Sequence, residues 1–354
     1  MRIGLAVYGT VFSMGLHPAS GRPRIKPIQL MERALAAGLE GVELPVSLLV
    51  SVPSSGSSKE SAPTTSRGKV YTPNPKRSSP NALEGEDIVA VAHYAQEHNL
   101  FITLATGGYD PEVLTEALNL AAQLGAGTVR TVVGGAKIGG DRRPLAGRWQ
   151  AFLQEVLAKL RKATAVAERV GVNLAVENHQ DLASEELLWL CESSASPRFG
   201  ITLDTGNPLA TAEEPMEFAR RVAPYLKNVH LKDYWVYHSE EGYRLVRCPL
   251  GQGVIDFPTL FAILTEACAD VTMSVELGAL EARHVRVLAE DYWPEYPPRS
   301  AAQLVHVLSF VRAHAGPAED WRTPFERDEP AEVIITYEEQ QLAASLAYLS
   351  GVKS

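Results

Sequence analysis

Glu177, Asp204, His230 and Glu276 stand where four successive apolar runs end, in AVENH, ITLDTGN, NVHLKD and MSVELG. Each run reads as a buried strand, and carboxylates and imidazoles are poor choices for an apolar core. Gathered at one point, these four side chains form a seat for a single divalent cation. Three carboxylates and one imidazole make an oxygen-rich donor set that suits Mn2+, Mg2+, Co2+ or Zn2+, with Mn2+ the expected ion. The ion would relieve a repulsion that otherwise raises some of the carboxylate pKa values. Taken singly, each residue has an ordinary explanation: Asp204 fits a turn with Thr205 and Gly206, and His230 a satisfied core histidine. Four such residues at equivalent strand ends are what call for a cation.

Their spacing says what must position them. Glu177 to Asp204 spans 27 positions and Asp204 to His230 spans 26, each enough for a loop, a helix and the next strand. His230 to Glu276 spans 46, so an elaborated loop fills the excess. Upstream, IGLAVYG, GVELP, FITLATG and TVRTVVGG read as four further strands. Amphipathic stretches separate them, including a helix from Pro27 and a long one over about 150–169 that Gly171 stops. Near-continuous apolar strands alternating with helices argue for a parallel sheet covered on both faces. Eight such units fit an α/β fold of the (β/α)8 TIM-barrel type, whose strand ends share one mouth. An open doubly wound sheet is the runner-up, and it gathers strands five to eight around one point less readily.

Capping-box spacing marks helix starts at Thr211 with Glu214, Ser300 with Gln303 and Thr336 with Glu339. The expected organisation is a catalytic barrel over 1–290 and a helical C-terminal extension over 291–354. Residues 47–86 form a Ser/Pro-rich insertion after strand two, which reads either as a lid or as a solvated loop.

Composition narrows the function. The 354 residues carry a formal net charge of −9, which opposes nucleic-acid binding. Three scattered cysteines do not make a disulfide framework, and a reducing, cytoplasmic setting is expected. MRIGLAVYG runs straight into a strand pattern, so neither a cleavable signal nor a membrane span is expected. The paired glycines at 134–135 and 139–140 lack the spacing of a phosphate-binding loop, and no dinucleotide fingerprint occurs. No nucleotide cofactor is expected.

The strings AVENH, ITLDTGN, NVHLKDY, GQGVIDF and VELG resemble the xylose-isomerase-like TIM-barrel superfamily of sugar-phosphate isomerases and epimerases, over roughly residues 1–290. That group includes ketose 3-epimerases and inosose dehydratases. The resemblance implies metal-ligand roles for Glu177, Asp204, His230 and Glu276, and a shaped turn at Gly251, Gly253 and Asp256. Two positions depart from the ketose 3-epimerases. Asn207 stands where they carry a histidine, and Lys232 where they carry an arginine. Asparagine hydrogen-bonds a hydroxyl but does not shuttle protons. The abasic-site endonucleases on the same barrel carry more metal-ligand histidines.

The chemistry that follows is proton transfer beside a carbonyl, with Glu177 and Glu276 as the catalytic pair and an enediolate as the shared intermediate. Protonation on the opposite face gives epimerisation, on the adjacent carbon isomerisation, and loss of a β-hydroxyl gives dehydration. Expected substrate contacts are Lys232, His179, Asn207, Glu43, His17 and Trp149, toward a small sugar, sugar phosphate, polyol or keto-glycoside. The leading expectation is a metal-dependent isomerase or epimerase. A metal-dependent lyase on a keto-polyol or keto-glycoside is the alternative, and a non-catalytic binding or partner barrel the third. The tail leaves room for a homo-oligomer.

Overall fold

The structure, a computed structural model, describes residues 1–49, 88–268, 270–278, 280–317 and 320–353. The 47–86 insertion lies outside the described residues from position 50 onward. Eight short strands close into a parallel barrel: β1 (Arg2–Ala6), β2 (Gly41–Pro45), β3 (Phe101–Ala105), β4 (Thr128–Thr131), β5 (Asn173–Glu177), β6 (Phe199–Asp204), β7 (Leu226–Leu231) and β10 (Thr272–Val275). Their residues are almost all buried, as strands with a packed interior on one face and helices on the other must be. The barrel closes where β1 pairs with β10, Leu5 lying opposite Val275.

Helices α1 (Pro27–Ala36), α2 (Ile88–Glu97), α3 (Pro111–Leu124), α4 (Trp149–Val170), α5 (Ser184–Ser194), α6 (Pro215–Val222) and α7 (Phe257–Ala267) follow successive strands. The α4 stripe packs as its periodicity predicts. Val156, Leu160 and Ala163 are fully buried, and Gly171 ends the helix in a left-handed conformation with φ of 76°. Two expected caps are corrected. Glu214, not Thr211, caps α6, its carboxylate accepting the N–H groups of Met216 and Glu217. Thr336 and Glu339 lie inside a longer helix rather than at its start, and Thr336 donates to the Glu332 carbonyl. The Ser300–Gln303 box does start α8 (Ala301–His314).

The 46-residue gap before Glu276 holds a hairpin, β8 (Asp233–Ser239) and β9 (Gly242–Cys248), joined by β11 (Arg283–Val285) into a small antiparallel sheet. The glycine turn after it wraps the Asp233 carboxylate, which accepts N–H groups from Gly251, Gly253 and Ile255. A Cβ at Gly253 would sit 2.2 Å from Asp233 Oδ1, so only glycine lets the backbone approach this closely.

The chain beyond 290 returns to the barrel. Helix α9 (Ala331–Lys353) lies between α1 and α7, with Glu339 on Arg33 at 2.6 Å and the Tyr348 ring 5.8 Å from that of Phe257. It therefore fills the place of the eighth barrel helix. It also delivers the buried Glu338 to the loop after β1, where the carboxylate accepts N–H groups from Val11, Phe12 and Ser13, each at 2.9 Å. Glu338→Ala strands three donors, and each buried unmet donor costs about 1–3 kcal/mol. Urea denaturation of this variant should show a loss of about 3 kcal/mol, with Glu338→Gln falling between it and wild type. No measurable loss would refute the bracing role.

Candidate metal centre

The four predicted ligands come together. One donor atom from each of Glu177, Asp204, His230 and Glu276 can be chosen so that all lie within 4.8 Å of one another. Strand order explains this: β5, β6, β7 and β10 are consecutive neighbours in the barrel, and Asp204 sits in register with His230. Glu177 and Glu276 therefore occupy the two ends of an arc, with Asp204 and His230 between them. Asn178 pins the end of β6, accepting the Asp204 N–H at 2.6 Å and donating to its carbonyl at 3.0 Å.

The ring of His230 is aimed. Its Nε2 lies 2.7 Å from Glu43 Oε2, which leaves Nδ1 turned toward Glu177 and Glu276 at 3.7 and 3.5 Å. Carboxylate–histidine pairs of this kind fix tautomer and ring orientation in metal sites. His230 Nδ1 is buried with no hydrogen-bond partner, and Glu177 Oε2 has the ion-pair contact of Arg130 Nε at 3.1 Å but no hydrogen bond. An unmet imidazole nitrogen inside an acidic cluster fits a cation, because a buried polar atom without a partner is costly.

Protein cations hold the cluster together. Arg130 lies 3.1 Å from both Glu43 and Glu177. Lys232 Nζ bridges Asp204 at 2.7 Å and Glu276 at 2.6 Å. Burial opposes the charge on Glu276, yet Lys232 and His230 hold its pKa down to about 2. Burial raises the pKa of Asp204 in spite of Lys232. Burial also works against a charged His230, but Glu43 and Glu177 lift its pKa to about 9. Any ion seated here thus competes with the His230 proton and with the Lys232 ammonium.

The expected substrate contacts divide. His179 opens onto the barrel mouth, and enclosure there, followed by the charges of Lys232 and Arg130, pushes its pKa down to about 4. Asn207 is buried beside the centre. Its Oδ1 accepts from Gln180 at 3.0 Å and its Nδ2 has no partner. Lys232 is committed to two of the ligand carboxylates. The other three positions make contacts elsewhere. Glu43 is the third residue of β2, is fully buried, and is engaged by His230, Arg130 and Asn228. It holds the His230 ring from beneath the mouth. Trp149 is fully buried, its indole N–H donates to Glu186 at 2.6 Å, and Arg142 stacks on its face. It anchors the loop after β4. His17 stacks on Phe12 with ring centroids 4.5 Å apart and accepts the Ala19 N–H through Nδ1. That places it in a packing cluster with Phe325.

Sequence reasoning missed Arg130. Its signal was an arginine inside TVRTVV, a strand dry on both faces, where a guanidinium persists only if paired.

Comparison with known proteins agrees with this fold. Residues 68–291 match the family described as "Xylose isomerase-like TIM barrel". The chain is 25% identical over 200 residues to the uncharacterized protein YihM of Escherichia coli strain K12, a match covering 55% of this chain and 57% of YihM. It is 26% identical over 197 residues to a 3-oxo-isoapionate decarboxylase of Pectobacterium atrosepticum, covering 55% of this chain and 68% of that protein. Among solved structures, the IOLI protein with a bound zinc atom shares the fold at 15% identity and a TM-score of 0.53, covering 90% of this chain and 100% of that one. No helix among the described residues is long and apolar enough to cross a membrane.

Proposed function

Because the chain belongs to the xylose isomerase-like TIM-barrel family, and because its four ligand candidates converge, we propose that it is a divalent-metal-dependent enzyme that moves protons beside the carbonyl of a small keto-sugar or keto-polyol. The observation that carries this reading is the arc: two glutamates flank an aspartate and a histidine on adjacent strands. Glu177, Asp204, Glu276 and His230 Nδ1 would hold the ion. A bound dication would supply Lewis acidity to a carbonyl and its neighbouring hydroxyl. The chain's own residues do the rest. A substrate seated over the arc lies between Glu177 and Glu276, so one carboxylate takes the carbon-bound proton and the other returns it. Glu276 is the more accessible of the two and faces the mouth, which favours it as the first base. Return to the opposite face gives epimerisation and return to the adjacent carbon gives isomerisation. Asn207 orients a substrate hydroxyl, and His179 contacts the substrate from the rim.

The zinc bound by the IOLI protein supports a divalent ion, and Mn2+ is the ion proposed here. A lyase reading also has support, since the relative from Pectobacterium atrosepticum is a decarboxylase. Loss of carbon dioxide from a 3-oxo acid leaves the same enediolate, which needs protonation but no prior deprotonation. One experiment separates these readings: incubate the Mn2+-loaded protein in heavy water with ketoses, inososes, keto-glycosides and 3-oxo aldonates. Deuterium at one carbon of an isomerised ketose supports proton transfer, and carbon dioxide or water release supports the lyase. A protein that turns over none of them and labels none of them contradicts the enzyme reading.

A further inference from the structure

Among the described residues, the half-buried Arg283 makes no ion pair. On β11 it lies opposite Leu245 of β9, and Val285 lies opposite Tyr243. Residues two apart on a strand share a face, and directly opposed residues share it too. Leu245, Tyr243 and Val285 are all fully buried, so Arg283 is presented on the inward, apolar face of this small sheet. His284 faces the other way and pairs with Ser239 at 2.9 Å. The inward face covers the barrel mouth: Tyr243 donates to the Leu209 carbonyl, and Tyr234, on the same face, reaches Asn207. Arg283 Nε is buried without a hydrogen-bond partner, and among the described residues its guanidinium makes no ion pair. Its positive charge is felt by His179 and Tyr234, both at the mouth, and by the carboxylate of Glu281.

The other cations of the mouth are engaged. Arg130 answers Glu43 and Glu177, Lys232 answers Asp204 and Glu276, and Arg247 donates to the Leu277 carbonyl beside Glu338. With a dication in the seat, Arg130, Lys232 and the ion would balance Glu43, Glu177, Asp204 and Glu276, whereas Arg283, whose charge also reaches Glu281, makes no ion pair among the described residues. A guanidinium on an apolar face is costly until an anion meets it, and its planar fork matches a carboxylate.

We propose that Arg283 binds a carboxylate of the substrate, so that this site takes a polyhydroxylated acid in preference to a neutral sugar. The inference rests on the enzyme reading above and names its substrate class. A single guanidinium fits a monoanion better than a phosphate ester.

The test is calorimetric titration of the Mn2+-loaded protein with erythronate, erythritol and erythritol 4-phosphate. Wild type should bind erythronate about 10- to 100-fold more tightly than erythritol, as charge-assisted hydrogen bonds imply. Arg283→Gln should remove that advantage and leave erythritol unchanged, and Arg283→Lys should retain part of it. Erythronate binding that is absent in wild type, or unaltered by Arg283→Gln, overturns the proposal. So does an Arg283-dependent preference for the phosphate ester. Repeating the erythronate series on metal-free protein reads Arg283 without the ion, so a failed metal centre is distinguishable from a failed Arg283 assignment.

Discussion

Glu276→Gln should lower turnover by about 1,000-fold or more, within or beyond the 10²–10⁴ range typical of a lost acid–base group. The side chain keeps its shape, so the fold should stay intact. What changes is chemistry. Lys232 and His230 hold the native carboxylate well below the usual carboxylate range, so it is ionised at neutral pH. An amide accepts no proton. The substitution also removes one negative charge from the arc, which weakens the seat for an ion. Bound metal must therefore be measured in the same preparations. Loss of turnover with metal retained locates the defect in proton transfer. Loss of both locates it in the seat. Normal turnover with a normal unfolding transition would remove Glu276 from the mechanism.

Arg130→Met should cost about 3–5 kcal/mol of stability, the range for removing one partner from a buried ion pair. Arg130 is buried between Glu43 and Glu177, and its loss leaves two buried carboxylates facing each other across the barrel interior. Methionine fills the volume but answers neither charge. Arg130→Lys should lose less, because it restores the charge without the two-pronged geometry. Added Mn2+ should recover part of the deficit in Arg130→Met, since a ligand that binds only the folded state stabilises it by mass action. Urea denaturation with and without Mn2+ reads both effects. A loss below about 1 kcal/mol would mean that water or relaxation satisfies Glu43 and Glu177, against the ledger of charges drawn here.

The barrel was legible because its signals are local. Each apolar run bounded by turn residues is a strand wherever it lies, and eight of them with intervening amphipathic stretches leave few parallel arrangements. The ligands were legible for a related reason: a carboxylate or imidazole at the end of such a run has no apolar explanation. Glu43 and Arg130 were harder. Both lie within strands, where the sequence does not say whether a residue points into the barrel or toward the helices, and each is explained only by partners on other strands. The hairpin of β8 and β9 was hidden in a gap read as a loop. Its alternation of Tyr234 with Val236, and of Tyr243 with Leu245, was the available signal. Trp149 suggested a sugar-stacking ring by residue type alone, whereas its position at the start of α4 turns it inward onto Glu186. The bond from Glu338 to residues 11–13 spans more than 300 positions, and nothing local encodes it. Arg283 became informative only once the register of β11 showed which way it faces.

Every role proposed for Glu177, Asp204, His230 and Glu276 depends on one seat for one ion. Calorimetric titration of metal-free protein with Mn2+, checked by the electron paramagnetic resonance of free Mn2+, tests it most directly. One ion should bind per chain. Asp204→Asn and His230→Gln should each weaken binding by about 100-fold, and Glu43→Gln by about 10- to 100-fold through the untethered His230 ring. Failure to bind a stoichiometric ion, or binding that these substitutions leave unchanged, would contradict it.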